Sequence, residues 1–127
     1  MHWYENLEKD NKGIWWVIEG IHNKLFYGAI GYNDWDQINR KAEIGVWFLP
    51  KYWGQGFMNE AMKITLNYGF DKMNLHRIEA YVRIENTACK KGLKKLNFTY
   101  KRIVREAEIM NNKFISYETF SILKNER

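Results

Sequence analysis

The chain has 127 residues, 46% hydrophobic and 28% charged, which suits one globular domain over residues 1–127 with a core that needs no disulfide help. Its single cysteine, Cys89, excludes an internal disulfide and a cysteine zinc cluster, so a metal is not expected. No apolar run reaches membrane-spanning length and the start has no signal-peptide pattern, so a cytoplasmic protein is expected. The formal charge of +5 leaves anionic ligands open, yet the basic residues are scattered and build no dense arm, which sets nucleic acid aside.

In chain order, residues 1–10 read as the end of a short helix, with Gly13 as its stop. "IWWVIEG" (14–20) and "KLFYGAIGY" (24–32) are aromatic and β-branched, and "IHNK" between them carries a turn residue, so they read as a hairpin. "AEIGVWFL" (42–49) alternates as a third strand, and Pro50 ends it because proline donates nothing to a sheet ladder. From Met58 the period becomes helical. Met58, Ala61, Met62, Thr65, Leu66, Gly69 and Met73 share one stripe, while Glu60, Lys63, Asn67 and Asp71 face away. "HRIEAYVR" (76–83) returns to alternation, with Ile78, Ala80 and Val82 on one face. "NTACKKGLKKL" (86–96) suits a helix capped by Asn86. "FTYKRIVREAEIM" and "KFISYETFSIL" close the chain as a hairpin about "NNK". The order helix, three strands, helix, strand, helix, two strands implies an α/β fold, a mixed sheet covered by helices.

"FLPKYWGQGFMNEAM" (48–62) joins the third strand to the first long helix. Gly54 and Gly56 remove side chains where backbone N–H groups converge, and the helix that follows leaves its first N–H groups unpaired. With the positive end of the helix dipole, these donors suit a phosphate or diphosphate, although a tight turn also uses glycine in this spacing.

"AEIGVWFLPKYWGQGFMNEA", "LHRIEAYVRIENTACKKGLKKLNF" and "REAEIMNNKFISYETFSIL" together resemble the GNAT acyltransferases, most nearly the branch that acetylates the N-terminal amines of ribosomal proteins. The resemblance implies a mostly antiparallel sheet with a splayed parallel strand pair and helices on both faces. Family members begin with a strand and one or two helices ahead of the point matching residue 1, so it also implies an N-terminally truncated form of that fold.

The function implied is transfer of an acetyl group from acetyl-CoA to a primary amine, either a protein N-terminus or a small amine such as a polyamine or aminoglycoside. The alternative is a catalytically impaired acyl-CoA-binding domain. The family loop reads Arg/Gln-x-x-Gly-x-Gly/Ala; here it is Lys51-Tyr52-Trp53-Gly54-Gln55-Gly56, with Lys51 in place of Arg or Gln. The resemblance implies that the N–H groups of Trp53, Gly54, Gln55, Gly56, Phe57 and Met58 hold the coenzyme diphosphate. Val46, Trp47 and Phe48 would pair their backbone with the pantetheine arm in a V-shaped opening between strands 42–49 and 76–83. The oxyanion donor would be an N–H near Trp47 or Phe48.

Asn86 matches the family asparagine that bonds the pantetheine, as well as being a plain cap. Cys89 stands where this branch has the serine proposed as the acid. Leu93 occupies the position where other members carry a tyrosine acid. Glu108 matches the glutamate base of the branch, with Glu106, placed by alternation on the same strand face, and Glu43 as rivals. An uncovered sheet edge favours self-association, so a homodimer is also expected.

Overall fold

The computed structural model describes the backbone at residues 2–9, 12–20, 22–54 and 56–127, and side chains over the same stretches from residue 12 onward. Seven strands form one sheet in the order β1-β2-β3-β4-β5-β7-β6. They are β1 (His2–Lys9), β2 (Ile14–Glu19), β3 (Phe26–Asp36), β4 (Lys41–Phe48), β5 (Arg77–Arg83), β6 (Thr99–Met110) and β7 (Lys113–Leu123). Helix α1 (Phe57–Asp71) crosses from β4 to β5, and α2 (Thr87–Lys95) lies between β5 and β6. Every neighbouring pair is antiparallel except β4 with β5. A 3-10 turn (Pro50–Tyr52) begins just after β4 and takes Pro50 at its first position.

The opening residues are a strand, not the end of a helix. β1 pairs antiparallel with β2, His2 opposite Glu19 and Lys9 opposite Ile14, so ladder hydrogen bonds from β2 override whatever helical preference the segment has by itself. The other expected elements form where their periodicity places them.

One face of the sheet carries the core. Ile14, Trp16 and Ile18 of β2, Ile30 and Tyr32 of β3, Ile44 and Phe48 of β4, and Ile78, Ala80 and Val82 of β5 are buried on it. The α1 stripe lands there, with Ala61, Met62, Thr65, Leu66, Gly69 and Phe70 buried. Each large apolar side chain so buried contributes about 1.5–3 kcal/mol relative to exposure. Leu93 and Leu96 join the same cluster at α2, so the two described helices cover one face of the sheet, where the expectation was cover on both.

Two close approaches set the helices. The Tyr32 hydroxyl donates to the Thr65 carbonyl of α1 at 2.6 Å, and a methyl at Gly69 would collide with that hydroxyl. A methyl at Gly92 of α2 would collide with the Met58 side chain, so Gly92 lets α2 pass close to the first turn of α1. Lys90 fixes the other side of α2, with its Nζ 2.8 Å from the Ile84 carbonyl and 3.1 Å from the Glu118 carboxylate of β7.

Gly69→Ala is therefore expected to destabilise the fold by about 1–3 kcal/mol through overpacking against Tyr32. Paired with Tyr32→Phe, which removes the obstructing oxygen, it should cost measurably less. Chemical denaturation of the two single variants and the double variant checks both statements.

Candidate active site

The site begins where the sheet stops being a sheet. β4 and β5 pair only through Lys41–Arg77, Ala42–Ile78 and Glu43–Glu79 among the described residues. Beyond that point β4 continues to Phe48 and β5 to Arg83, each still paired on its outer side, to β3 and β7 respectively. Two strands held apart at one end and together at the other leave a fork between them. Its closed end is riveted by Arg40: the Arg40 carbonyl accepts from the N–H of His76 at 2.7 Å and of Arg77 at 3.2 Å, and its Nε donates to the Asn74 carbonyl at 2.9 Å. The V-shaped opening expected between strands 42–49 and 76–83 is present.

At the open end lies the glycine loop. Gly54 and Gly56 have φ of +72° and +78°, the left-handed region that disfavours any residue with a Cβ. A methyl built on either glycine meets nothing within 4 Å, so conformation, not crowding by the protein, demands glycine there. Gly56 is the N-cap of α1 and supplies no side chain. The first turn bond runs from Glu60 N to the Gly56 carbonyl at 3.2 Å, so the amides of Phe57, Met58 and Asn59 precede the helical ladder and point out of the helix end.

Aromatic stacking fixes this loop against the sheet. Tyr27 of β3 stacks on Tyr52 at 4.0 Å and on Phe57 at 5.2 Å between ring centroids, and Phe57 lies 6.4 Å from Phe48. Lys51 sits over the Tyr52 ring at 5.2 Å. Trp53 folds back so that its Nε1 donates to the Phe48 carbonyl at 2.9 Å.

One expected donor is spent: the Trp53 N–H donates to the Pro50 carbonyl at 3.1 Å inside the 3-10 turn, so it cannot also serve a diphosphate. Gln55 lies outside the described residues. Val46 is half-buried and Phe48 buried on the core side, while Trp47 is 49% exposed on the opposite face beside Phe26.

Asn86 caps α2, its Oδ1 accepting from the Cys89 N–H at 3.1 Å, and this use leaves the Nδ2 donors outside the cap. Cys89 is partly buried against the core, and burial pushes its thiol up from the ordinary range. A thiol held protonated at neutral pH is a poor nucleophile.

Glu106 and Glu108 do not share a plain strand face. β6 carries two extra residues between Val104, opposite Tyr117, and Glu108, opposite Ile115. Glu106 sits in that bulge with φ of +48°, and its N–H donates to Ser116 Oγ at 2.9 Å. Burial first, then the nearby Glu108 carboxylate, push the Tyr117 hydroxyl pKa up from its ordinary value.

The more unusual carboxylate is Glu43, at the vertex of the fork. Partial burial first, then the charges of Asp34, Glu79 and Glu108, push its pKa up from the ordinary carboxylate value. Alternation placed Glu43 away from the core, but its partial burial and four-carboxylate neighbourhood depend on strands distant in sequence.

A mixed sheet opened between its single parallel pair, with a glycine loop and a helix N-terminus at the mouth, defines an acyl-CoA N-acyltransferase type of α/β fold. The acetyltransferase (GNAT) domain family matches residues 1–99. The chain belongs to the GNAT acetyltransferase family, whose enzymes use acetyl-CoA as cosubstrate.

It is 41% identical over 99 residues to an uncharacterized N-acetyltransferase, p20, of Bacillus licheniformis, covering 78% of this chain and 56% of that one. It is 27% identical over 114 residues to YdaF of Bacillus subtilis, provisionally described as a ribosomal N-acetyltransferase, covering 86% of this chain and 62% of that one. A dodecameric spermidine N-acetyltransferase from Vibrio cholerae superposes with a TM-score of 0.85 at 25% identity, covering 91% of this chain and 67% of that one. The chain thus spans about 56% and 62% of the length of these two Bacillus relatives. No helix among the described residues is long and apolar enough to cross a membrane.

The raised Glu43 pKa has a stability consequence. The folded chain keeps this proton at a pH where the unfolded chain has released it, so stability declines as pH rises from the ordinary carboxylate range through the Glu43 value. Glu43→Gln is expected to remove that part of the decline, gaining on the parent chain at about pH 8 relative to about pH 4. Denaturation midpoints across this range measure it.

Proposed function

We propose that this chain transfers an acetyl group from acetyl-CoA to a primary amine by direct attack in a ternary complex. The observation that carries the reading is the fork itself: a parallel pair parted after Glu43–Glu79, with the α1 N-terminus and two left-handed glycines at its mouth. The amides of Gly54, Gly56, Phe57 and Met58 would grip the diphosphate, with Lys51 and the Trp53 ring at the rim. The pantetheine arm would run between β4 (Val46, Trp47, Phe48) and β5, meeting the Asn86 side-chain amide. An N–H near Trp47 or Phe48 would face the oxyanion that forms on the thioester carbonyl.

The amine must attack as a neutral nucleophile. Deprotonating an α-amino group at pH 7 costs about 1 kcal/mol and an ordinary lysine-like amine about 4.6 kcal/mol. A carboxylate with a raised pKa is the better-matched base, which favours Glu43 at the vertex over Glu108. The nitrogen lone pair adds to the carbonyl carbon, the C–S bond breaks, and the thiolate of the coenzyme takes up a proton. Cys89 is placed on the helix that flanks the fork. The burial that keeps it protonated also makes it a reluctant acid, and it argues against a covalent acetyl-cysteine step.

The acceptor reading is a cationic amine, most simply a polyamine. After burial, the charges of Asp34, Glu79 and Glu108 act on Glu43 at the vertex, Glu79 itself being paired with Arg77 at 3.0 Å, and the Vibrio neighbour is named for spermidine. A protein N-terminus is the second reading, supported by the likeness to YdaF. We also read the chain as self-associating through a sheet edge, since β1 and β6 end the sheet and the Vibrio neighbour is dodecameric.

Calorimetry should show acetyl-CoA binding, and Gly56→Val should weaken it at least tenfold by crowding the diphosphate. No binding by the parent chain at high micromolar acetyl-CoA sinks the reading. Thiol release on adding spermidine, or a peptide with a free N-terminus, separates an enzyme from a domain that only binds the coenzyme.

Glu43→Gln is expected to lower kcat by about 10²–10⁴. Glu108→Gln should have a smaller effect, and Cys89→Ala should cost less than about tenfold. The reverse order for the two glutamates would return the base to Glu108.

A further inference from the structure

The face of the sheet that carries no described helix holds an indole in an unusual seat. Trp15 of β2 stands opposite Gly31 of β3, and Gly31 stands opposite Gly45 of β4. A methyl on Gly31 would come within 2.6 Å of the Trp15 ring, and one on Gly45 within 3.0 Å of its far edge. The ring therefore lies across both glycines and reaches from β2 to β4. Its Nε1 donates to Asn33 Oδ1 at 2.9 Å, and Asn33 is the cross-strand partner of Glu43.

Glycine inside a strand weakens it unless something must approach the backbone closely. Here the approaching group is an aromatic face, anchored at its N–H and only partly buried. It ends at Gly45, two residues past Glu43, where β4 has already left β5.

We propose that Trp15 is a specificity-determining residue of the acceptor site, its indole face forming the wall on which the chain of an organic polycation rests. The proposal rests on the acetyltransfer reading above. An aromatic face attracts an ammonium group and the methylenes beside it, and it does so best next to carboxylates that neutralise the remaining charge. Asp34 and Glu43 supply those charges, Glu79 being already paired with Arg77 at 3.0 Å. Because Asn33 and the two glycines already hold the ring, little side-chain freedom remains to be lost on binding. A short monoamine would reach the base without touching this wall; an extended polyamine would use it.

The test compares spermidine with n-propylamine as acceptors for the parent chain, Trp15→Leu and Trp15→Phe. Acetyl-CoA affinity is measured by calorimetry alongside. Trp15→Leu should lower the spermidine-over-propylamine ratio of kcat/KM about tenfold, through the spermidine KM. Its acetyl-CoA Kd should stay within twofold, and Trp15→Phe should recover most of the preference.

An unchanged ratio in Trp15→Leu overturns the proposal. If that variant does not fold, Gly45→Ala, whose methyl nudges the ring by a few tenths of an ångström, should lower the ratio by about threefold; no change there overturns the proposal equally. Calorimetry with spermidine in the absence of coenzyme keeps the two readings separate. Weaker spermidine binding in Trp15→Leu, with no acetyl-CoA binding by the parent chain, supports Trp15 and sinks the coenzyme reading. Equal spermidine binding, with acetyl-CoA bound normally, does the opposite.

Discussion

The site depends on where β4 and β5 stop pairing. Parallel strands are ordinarily sealed along their length by slanted hydrogen bonds. Here the seal ends at Glu43–Glu79, while β3 and β7 keep their hold on the two outer flanks. Backbone groups on the inner edges are thereby turned toward each other across a gap, where an extended ligand can replace the missing strand contacts. Arg40 keeps the closed end closed, and the stacked Tyr27, Tyr52 and Phe57 rings keep the mouth loop in place. The opening is consequently a fixed feature of a packed sheet and not a tear in it.

Charge divides the fork into two regions. The mouth presents the positive end of α1, with main-chain amides and no side-chain cap. The vertex presents Glu43, whose pKa is raised by burial and then by neighbouring carboxylates. An anionic coenzyme and a cationic acceptor would be drawn to opposite ends of the same opening. Net charge governs long-range attraction and local groups the short-range field, so the formal charge of +5 does not exclude a cationic acceptor at the vertex.

Several parts of this arrangement were legible in the chain. The apolar stripe from Met58 to Met73, most of it on α1, the alternation of Ile78, Ala80 and Val82, and the Asn86 cap all follow from side-chain period and capping chemistry. The glycine loop at 54 and 56 was legible because two glycines follow a strand and precede a helical stripe; its left-handed backbone came from the structure. Other parts were not. β1 exists through its ladder with β2, which residues 1–10 do not encode alone. Glu106 leaves its expected face because a two-residue bulge interrupts β6, and the bulge is visible only against the register of β7. The Trp53 amide looked like a ligand donor until the 3-10 turn claimed it.

By itself the sequence determined the succession of elements from Ile14 onward, the helical face that would be buried, and the glycine loop before α1. Each of these is a property of neighbouring residues and the fixed geometry of a helix, strand or turn. Tertiary structure alone decided which carboxylate is perturbed and that Trp15 lies over two glycines beside the vertex. Burial, charge coupling and close approach are set by residues tens of positions apart, brought together only when the sheet assembles.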